Sequence, residues 1–387
     1  MSDRKGHILL LEHRAELAEP IVNQLTLRGF RVQIAGDAGP VLRGVDEDVD
    51  VVLCDIAMPD ISWDRVLQFL TQRQFEATAI MLSTNTDQLQ VMTALRLGFH
   101  DFFTLPIDDW DALFTSLDRC MAQRGMQRQN QAYRRSLEAN VRILEQDQQA
   151  GRHVQMRMLP ESPLFLGDYV FSHTVIPSLF LSGDFTDYFL VGDRHASFVI
   201  ADVSGHGSSS AFVTVLLKNL FARKRSDFIH RNDDTILSPT RMLERANRDL
   251  QELAIDKFAT LIVGVIDLSE NSLRYSVAAH LPLPVLVSGG GAVYLPGEGP
   301  AVGMLEDADY REYQRQLPEQ FTLALFTDGI LEILPAEKLL EKERYFLQVF
   351  DGAADSPEQV VKQLGLDKVS DAPDDIAAMF ISRGAQV

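Results

Sequence analysis

Acidic residues at the ends of apolar runs are the first candidates for chemistry in this sequence. Asp202 closes the apolar run 197–201 and is followed by a glycine-containing turn, 204–207. Similar positions beside other apolar runs are held by Asp184, Asp328, Asp374 and Asp375. Hard divalent cations prefer oxygen ligands, and carboxylates on the loop edges of a rigid sheet are a usual way to hold them. One Asp-Gly step alone is typical of a turn, but the whole set indicates a magnesium or manganese site.

The stretches around these acids also resemble a known family. They span residues 181–187, 201–207, 325–330 and 374–376. In this order they resemble the bacterial PPM-type (PP2C-like, SpoIIE-family) serine/threonine phosphatases that act on anti-sigma-factor antagonists, over roughly residues 145–385. The resemblance implies hydrolysis of phosphoserine or phosphothreonine by a water that two divalent cations, Mn²⁺ or Mg²⁺, activate.

The phosphatase resemblance also implies a role for each acid. Asp202 would bridge both ions, and the Val203 carbonyl would bind one of them. The residues implied to hold the ions directly or through water are Asp184, Asp328 and one of Asp374 and Asp375. Of these two we choose Asp374 as the ligand, with Asp375 as a candidate member of the metal site that supports it. Lone histidines are more often structural than catalytic, so we assign no general acid to His206 or His280.

Length, charge and apolar content narrow the class of protein. A chain of 387 residues predicts two domains and a connector. The net charge of −19 disfavours nucleic acids and anionic membranes as partners. The sequence has no apolar run near about 18 residues and no leader pattern, which predicts a soluble, cytoplasmic protein. Cys54 and Cys120 lie in apolar contexts typical of packing residues.

Residues 1–122 contain short apolar runs, each followed by a helical pattern. The runs are 7–12, 32–35, 49–55, 78–83 and 101–104. This alternation predicts an α/β domain with a doubly wound, five-stranded parallel sheet. In such a sheet the functional site lies at the carboxyl ends of the strands. Glu12, Asp55 and Ser83 are expected at that edge.

The arrangement around Asp55 resembles the receiver domain of two-component response regulators. The resemblance makes Asp55 the phosphoacceptor and implies a sensor histidine kinase as partner. It also implies Mg²⁺, which would assist the attack of the aspartate on a phosphoryl donor. The implied magnesium ligands are Glu12, Asp55 and the Ala57 carbonyl, and the implied switch residues are Ser83 and Phe102.

Two positions depart from the receiver pattern. His13 stands where the family has a second acidic residue, and Leu105 stands where it has a lysine. A leucine cannot pair with a phosphoryl oxygen, so the coupling of phosphorylation to switching is expected to weaken. Two interpretations stay open: Asp55 is phosphorylated, or the domain is a degenerate receiver that serves as a docking platform. The Leu105-Pro106 step also favours a cis-proline turn.

Residues 123–160 are predicted to form a helical linker. Leu137, Val141, Leu144 and Gln148 follow a heptad-like spacing, but the apolar seam is short. One interpretation is a solvated linker helix, and the other is a coiled coil through which the protein forms a homodimer. We favour the second, because 155–160 resembles the segment that leads into this phosphatase family.

Residues 161–387 are predicted to form an α+β domain. Apolar and alternating runs recur at 169–177, 185–191, 195–201, 257–267, 272–279, 283–287, 310–317, 321–327 and 376–382. Helical patterns at 208–224 and 238–253 interrupt them, and glycine-rich 288–303 indicates a hairpin and loop. The pattern fits the PP2C-like sandwich that the resemblance implies, with two antiparallel sheets flanked by helices.

The combination of receiver, helix and phosphatase resembles the RssB-type response regulators. One hypothesis is a protein phosphatase under receiver control, acting on a phosphorylated anti-sigma-factor antagonist and so altering sigma-factor availability in a stress response. The alternative is a non-enzymatic adaptor that binds a sigma factor and delivers it to a protease. Retention of Asp184, Asp202, Asp328 and Asp374 favours the enzyme, because an adaptor has no need of a carboxylate set.

Overall fold

The computed structural model describes most of the chain. The described residues are 5–36, 49–58, 77–84, 91–92, 95–96, 98–289, 291–335, 338–351, 357–369 and 372–384. Internal contacts divide the chain into two units, residues 1–141 and 142–387. The helical patterns predicted after the second and third strands fall on 37–48 and 59–76, outside the described residues.

The first unit contains a five-stranded parallel sheet, as the sequence predicts. Its strands are β1 (His7–Leu11), β2 (Arg31–Ala35), β3 (Val51–Asp55), β4 (Thr78–Ser83) and β5 (Asp101–Thr104), and helix α1 spans Ala15–Leu27. The strand order is β2-β1-β3-β4-β5. Strands β1 and β3 are buried along their whole length, which explains their unbroken apolar runs.

A single helix, α2, spans Trp110–Met158 and belongs in part to each unit. Leu113, Leu117 and Cys120 on its first turns are buried in the apolar core of the first unit. The helix continues through Gly125 without interruption, and all residues from 125 to 150 are exposed. The exposed part carries apolar side chains at the spacing that the sequence indicated, including Leu137, Val141 and Leu144.

The second unit contains two antiparallel sheets. One has the order β14 (Glu312–Gln316), β11 (Ser272–Ala278), β10 (Ala259–Asp267), β9 (His195–Val203), β8 (Asp184–Val191). The other has the order β13 (Gly291–Tyr294), β12 (Val285–Ser288), β15 (Phe321–Phe326), β16 (Ile376–Arg383), β7 (Tyr169–Ile176), β6 (Leu164–Leu166).

Three apolar cores hold these layers together. The central core joins inward-facing residues of both sheets, for example Phe198 and Met379. On one side, α3 (Ser208–Arg231) and α4 (Pro239–Glu252) cover the sheet that contains β8 and β9. On the other, α5 (Gly329–Glu332), α6 (Leu339–Asp351) and α7 (Pro357–Gln363) cover the second sheet. The predicted sandwich flanked by helices is therefore confirmed.

The structure adds elements that the sequence patterns did not predict. They are strand β6, a 3₁₀ turn at Asp234–Leu237, and helices α5, α6 and α7. The predicted hairpin in the glycine-rich segment is present as β12 and β13. None of the helices that the structure describes combines the length and apolar character needed to cross a membrane.

Candidate functional site

The hairpin β8–β9 places two of the predicted acids side by side. Asp184 is the first residue of β8, and Asp202 is the second-last residue of β9. The antiparallel register pairs Asp184 directly with Asp202. Both carboxylates therefore lie at the open end of the hairpin, and Asp193 lies in the turn at its far end.

The second sheet contributes the other acids at the ends of two neighbouring strands. Asp328 follows β15 by two residues, and Asp374 precedes β16 by two residues. Thr327 connects the sheets, because its Oγ1 donates a hydrogen bond to Asp184 Oδ2 at 2.6 Å and accepts one from the Ala377 N–H at 2.7 Å. The structure thus brings the separate acidic stretches of the sequence to one edge of the sandwich.

Two glycines allow the backbones around this edge to approach closely. A Cβ at Gly329 would overlap the carbonyl oxygen of Asp375. A Cβ at Gly183 would lie 2.9 Å from the carbonyl oxygen of Val203. The Ser-Gly-Asp and Asp-Gly steps are therefore required for close packing of the acidic loops, and the Val203 carbonyl lies beside Asp184's own loop.

The carboxylates strongly perturb one another. Burial and the neighbouring Asp328, Asp374 and Asp375 raise the pKa of Asp202 to about 7. Burial and Asp202 raise the pKa of Asp184 well above its ordinary value, against the hydrogen bond from Thr327. Burial and Asp374 also raise the pKa of Asp328. An oxygen-only donor set whose members repel one another in this way fits Mg²⁺ or Mn²⁺.

Asp375 accepts hydrogen bonds from the loop that precedes Asp184. Its Oδ1 accepts hydrogen bonds from the Ser178 N–H at 2.6 Å and the Ser178 hydroxyl at 2.8 Å. Its Oδ2 accepts one from the Gly183 N–H at 2.6 Å. Both oxygens are occupied by donors of the protein, so Asp375 positions the loop before Asp184. This geometry favours Asp374 over Asp375 as the candidate ligand.

The histidines near the site are structural or exposed. His280 is buried, and burial lowers its pKa to about 4, so the ring is neutral. Its Nε2–H donates to the Phe326 carbonyl at 2.9 Å, and its Nδ1 accepts from the Thr260 hydroxyl at 2.8 Å. His280 therefore fastens β10 to the end of β15, whereas His206 is exposed.

The sequence did not predict the role of two other positioning residues, Gln155 and Lys257. Gln155 on α2 donates to the Ser182 carbonyl at 2.7 Å and accepts from the Ser182 N–H at 3.0 Å, and the Ser182 hydroxyl accepts from the Asp184 N–H at 3.0 Å. Lys257 donates to the Ser204 carbonyl at 2.7 Å and so fixes the turn after Asp202. These contacts join residues far apart in sequence, and no local spacing marks them.

The receiver-like residues also meet at the carboxyl edge of their sheet. Asp55 ends β3, Glu12 follows β1, and both are fully or almost fully buried. The Ala57 N–H donates to Asp55 Oδ1 at 3.0 Å. Ser83 ends β4 and is buried, and Phe102 lies half-buried on β5.

The two departures from the receiver pattern are visible in this unit. Leu105 is buried in an apolar core with Ile8 and Leu10. The predicted cis bond between Leu105 and Pro106 is present. The His13 ring Nδ1 lies 3.5 Å from Glu12 Oε1.

The carboxylates of the receiver-like site are engaged by Arg14. Its Nε and Nη2 donate to the two oxygens of Glu12 at 3.0 and 3.2 Å, and Nη2 also donates to Asp55 Oδ2. Glu12, His13 and Asp55 each offer a ligand atom within 4.8 Å of the others. The guanidinium nevertheless holds the carboxylate oxygens that an ion would need, so this arrangement does not fit the Mg²⁺ that the resemblance implies.

The pKa shifts of the receiver carboxylates have opposite signs. Burial raises the pKa of Glu12, but the hydrogen bonds and charge of Arg14 outweigh it, so the pKa is lowered. Burial and the charge of Glu12 raise the pKa of Asp55, against the Ala57 N–H and Arg14. Arg14 therefore stabilises the charged form of Glu12, whereas for Asp55 it only partly offsets the effect of burial and of Glu12.

Comparisons with known proteins agree with both halves of this description. Residues 8–118 match the model of the response regulator receiver domain, and residues 192–384 match that of stage II sporulation protein E (SpoIIE). Asp202, Asp328 and Asp374 lie inside the second match.

Two curated relatives come from Bacillus subtilis. Phosphoserine phosphatase RsbP is 29% identical over 157 residues, 39% of this chain and 37% of that protein. Phosphoserine phosphatase RsbU is 24% identical over 192 residues, 49% of this chain and 54% of that protein. The chain thus spans between about a third and about half of the length of these relatives.

A solved structure supports the fold of the second unit. The SiaA-PP2C domain of Pseudomonas aeruginosa superimposes with a TM-score of 0.51 at 20% identity, covering 63% of this chain and 98% of that domain. The chain is therefore a response regulator receiver domain joined by a long helix to a SpoIIE-family domain with the PP2C fold.

Proposed function

We propose that the second domain is a metal-dependent protein serine/threonine phosphatase. The observation that carries this proposal is the convergence of Asp184, Asp202 and Asp328 at one edge of the sandwich, where burial and mutual repulsion raise the pKa of each carboxylate. Such a cluster is electrostatically unfavourable unless cations occupy it. RsbP and RsbU, to which the chain is similar, are named as phosphoserine phosphatases.

The residues at this edge of the sandwich comprise candidate metal ligands and residues that position them. Asp202, Asp328 and Asp374 would hold two Mn²⁺ or Mg²⁺ ions, with Asp184 and the Val203 carbonyl completing the set. When bound, the ions would supply Lewis-acid activation of water and of the phosphoryl group. Thr327 keeps Asp184 oriented by its hydrogen bond of 2.6 Å. Asp375 holds the backbone of Gly183 in place, and Lys257 fixes the turn that follows Asp202.

The substrate that this family resemblance favours is a small phosphorylated anti-sigma-factor antagonist. Dephosphorylation of that protein would alter the availability of a sigma factor. A sensor histidine kinase is the partner that the receiver implies, with Asp55 as the residue it would modify. The exposed apolar residues of α2, among them Tyr133, Leu137 and Leu144, support a homodimer through this helix.

Hydrolysis of a phosphoserine protein by the full chain tests the proposal. We expect phosphate release from a phosphoserine-bearing anti-sigma-factor antagonist with Mn²⁺, little release after chelation, and at least about tenfold slower release from a matched phosphotyrosine peptide. Two results together would contradict the enzyme and favour an adaptor. One is that no phosphoserine substrate releases phosphate in a metal-dependent way, and the other is that the immobilised chain retains a sigma factor.

A further inference from the structure

Arg14 lies at the centre of the receiver's acidic pocket. It follows Glu12 by two residues, and its backbone N–H donates to Glu12 Oε1 at 2.8 Å. Its side chain bonds both oxygens of Glu12 and then reaches Asp55 Oδ2. Glu12 follows β1 and Asp55 ends β3, so one guanidinium ties together two buried carboxylates at neighbouring strand ends.

The surroundings of these carboxylates make this contact important. The position where receivers carry a lysine is Leu105, whose side chain lies in the apolar core. His13 is exposed; its ring Nδ1 lies 3.5 Å from Glu12 Oε1, and a ring nitrogen lies within 4.8 Å of a carboxylate oxygen of Asp55. Within the described part of this unit, Arg14 is thus the cationic side chain hydrogen-bonded to Asp55. Buried carboxylates need a positive partner, and here it belongs to the chain itself.

A guanidinium and a divalent cation compete for the same oxygen lone pairs. The fork of Arg14 matches a carboxylate in a two-point contact and stays charged at every ordinary pH. Its partners also strengthen it, because the hydrogen bond to Glu12 raises the pKa of Arg14. A metal ion could enter only by displacing a tethered cation, which is held at the site at a high effective concentration.

We propose that Arg14 is the built-in cation of this receiver: it holds Glu12 and Asp55 in a closed ion pair and excludes Mg²⁺ from the pocket. Arg14 then offsets one of the two negative charges of the pocket without metal, and Asp55 stays paired until Arg14 leaves. This proposal does not depend on the activity of the second domain, because it concerns residues of the first unit alone.

Counting bound manganese on the full chain tests the proposal. Mn²⁺ titrations to millimolar concentration, read by electron paramagnetic resonance, would compare wild type, Arg14→Gln, Asp55→Asn and the double variant. The acid cluster of the second domain is common to all four, so differences report the receiver. We expect equal binding by wild type and Asp55→Asn, and one further equivalent in Arg14→Gln that the double variant lacks. The receiver pocket of Arg14→Gln should bind Mn²⁺ at least about tenfold more tightly than the wild-type pocket does.

Two results would overturn the proposal. One is a wild-type chain that already binds one more Mn²⁺ than Asp55→Asn, because Arg14 would then not exclude the metal. The other is a folded Arg14→Gln chain that gains none. Circular dichroism checks folding, Arg14→Ala serves if Arg14→Gln does not fold, and Arg14→Lys, which keeps the charge, should gain no equivalent.

Discussion

Asp202→Asn is expected to lower manganese-dependent phosphate release by more than about 100-fold while leaving the fold intact. Asp202 faces Asp328, Asp374 and Asp375, whose charges together with burial raise its pKa to about 7. An asparagine keeps the size of the side chain but removes the charge that two cations would share. It also relieves repulsion, so the metal-free variant should melt no lower than the metal-free parent.

The matched control for this prediction is Asp193→Asn. It makes the same chemical change in the same hairpin, but Asp193 is exposed in the turn between β8 and β9, at the end remote from Asp202. We expect parental activity from this control. Initial rates of phosphate release at saturating Mn²⁺ give the comparison, and an Asp202→Asn enzyme with parental activity would remove the mechanism proposed above.

The second expected result is that stabilisation of the protein by Mn²⁺ increases with pH. The pKa of Asp202 in the folded, metal-free protein is about 7, above the ordinary value of 3.8. A carboxyl with a raised pKa contributes stability that is fully present below its unfolded pKa and is lost as pH rises through its folded pKa. The metal-free protein should therefore lose stability between pH 4 and pH 7, where a bound cation would replace the lost proton.

Thermal unfolding with and without Mn²⁺ measures this effect as a difference at each pH. At a concentration about 100 times Kd the ion stabilises by about 2.7 kcal/mol, roughly 5–10 °C for a domain of this size. Below pH 7 the apparent affinity should fall by up to about tenfold per pH unit, as protons compete for Asp202. In Asp202→Asn this pH dependence should weaken, leaving the part that comes from Asp184 and Asp328. A melting-point gain that is constant from pH 5.5 to pH 8 would contradict the account.

The sequence predicted the features that local pattern determines. Apolar runs that alternate with helical patterns predicted the parallel sheet, because right-handed crossovers leave few alternatives. The strand order β2-β1-β3-β4-β5 came from the structure. Asp55, Asp202 and Asp328 could be placed at strand ends because a strand buried among apolar neighbours must end before a carboxylate can reach solvent or an ion.

The sequence could not predict contacts between distant segments. Thr327 reaches Asp184 across 143 positions, and Asp375 reaches Gly183 across 192. Their role depends on which strand ends meet, and no spacing along the chain records that. Only the fold shows which groups Asp375 holds in place, namely Ser178 and the backbone of Gly183.

Arg14 illustrates the same limit in the receiver. Arg14 precedes helix α1, and no local spacing marks it as a partner of Asp55. Its significance appears only when β1 and β3 lie side by side and bring Asp55 within reach of the guanidinium.

The most direct test of the central claim is a crystal structure of the protein grown with Mn²⁺ and measured at the manganese absorption edge. We predict two anomalous peaks at the edge of the sandwich, in contact with the carboxylates of Asp202, Asp328 and Asp374, with Asp375 still bound to Ser178 and Gly183. Saturating manganese that leaves this cluster empty, or that binds only elsewhere on the second domain, would contradict the claim that these acids form a phosphatase metal centre.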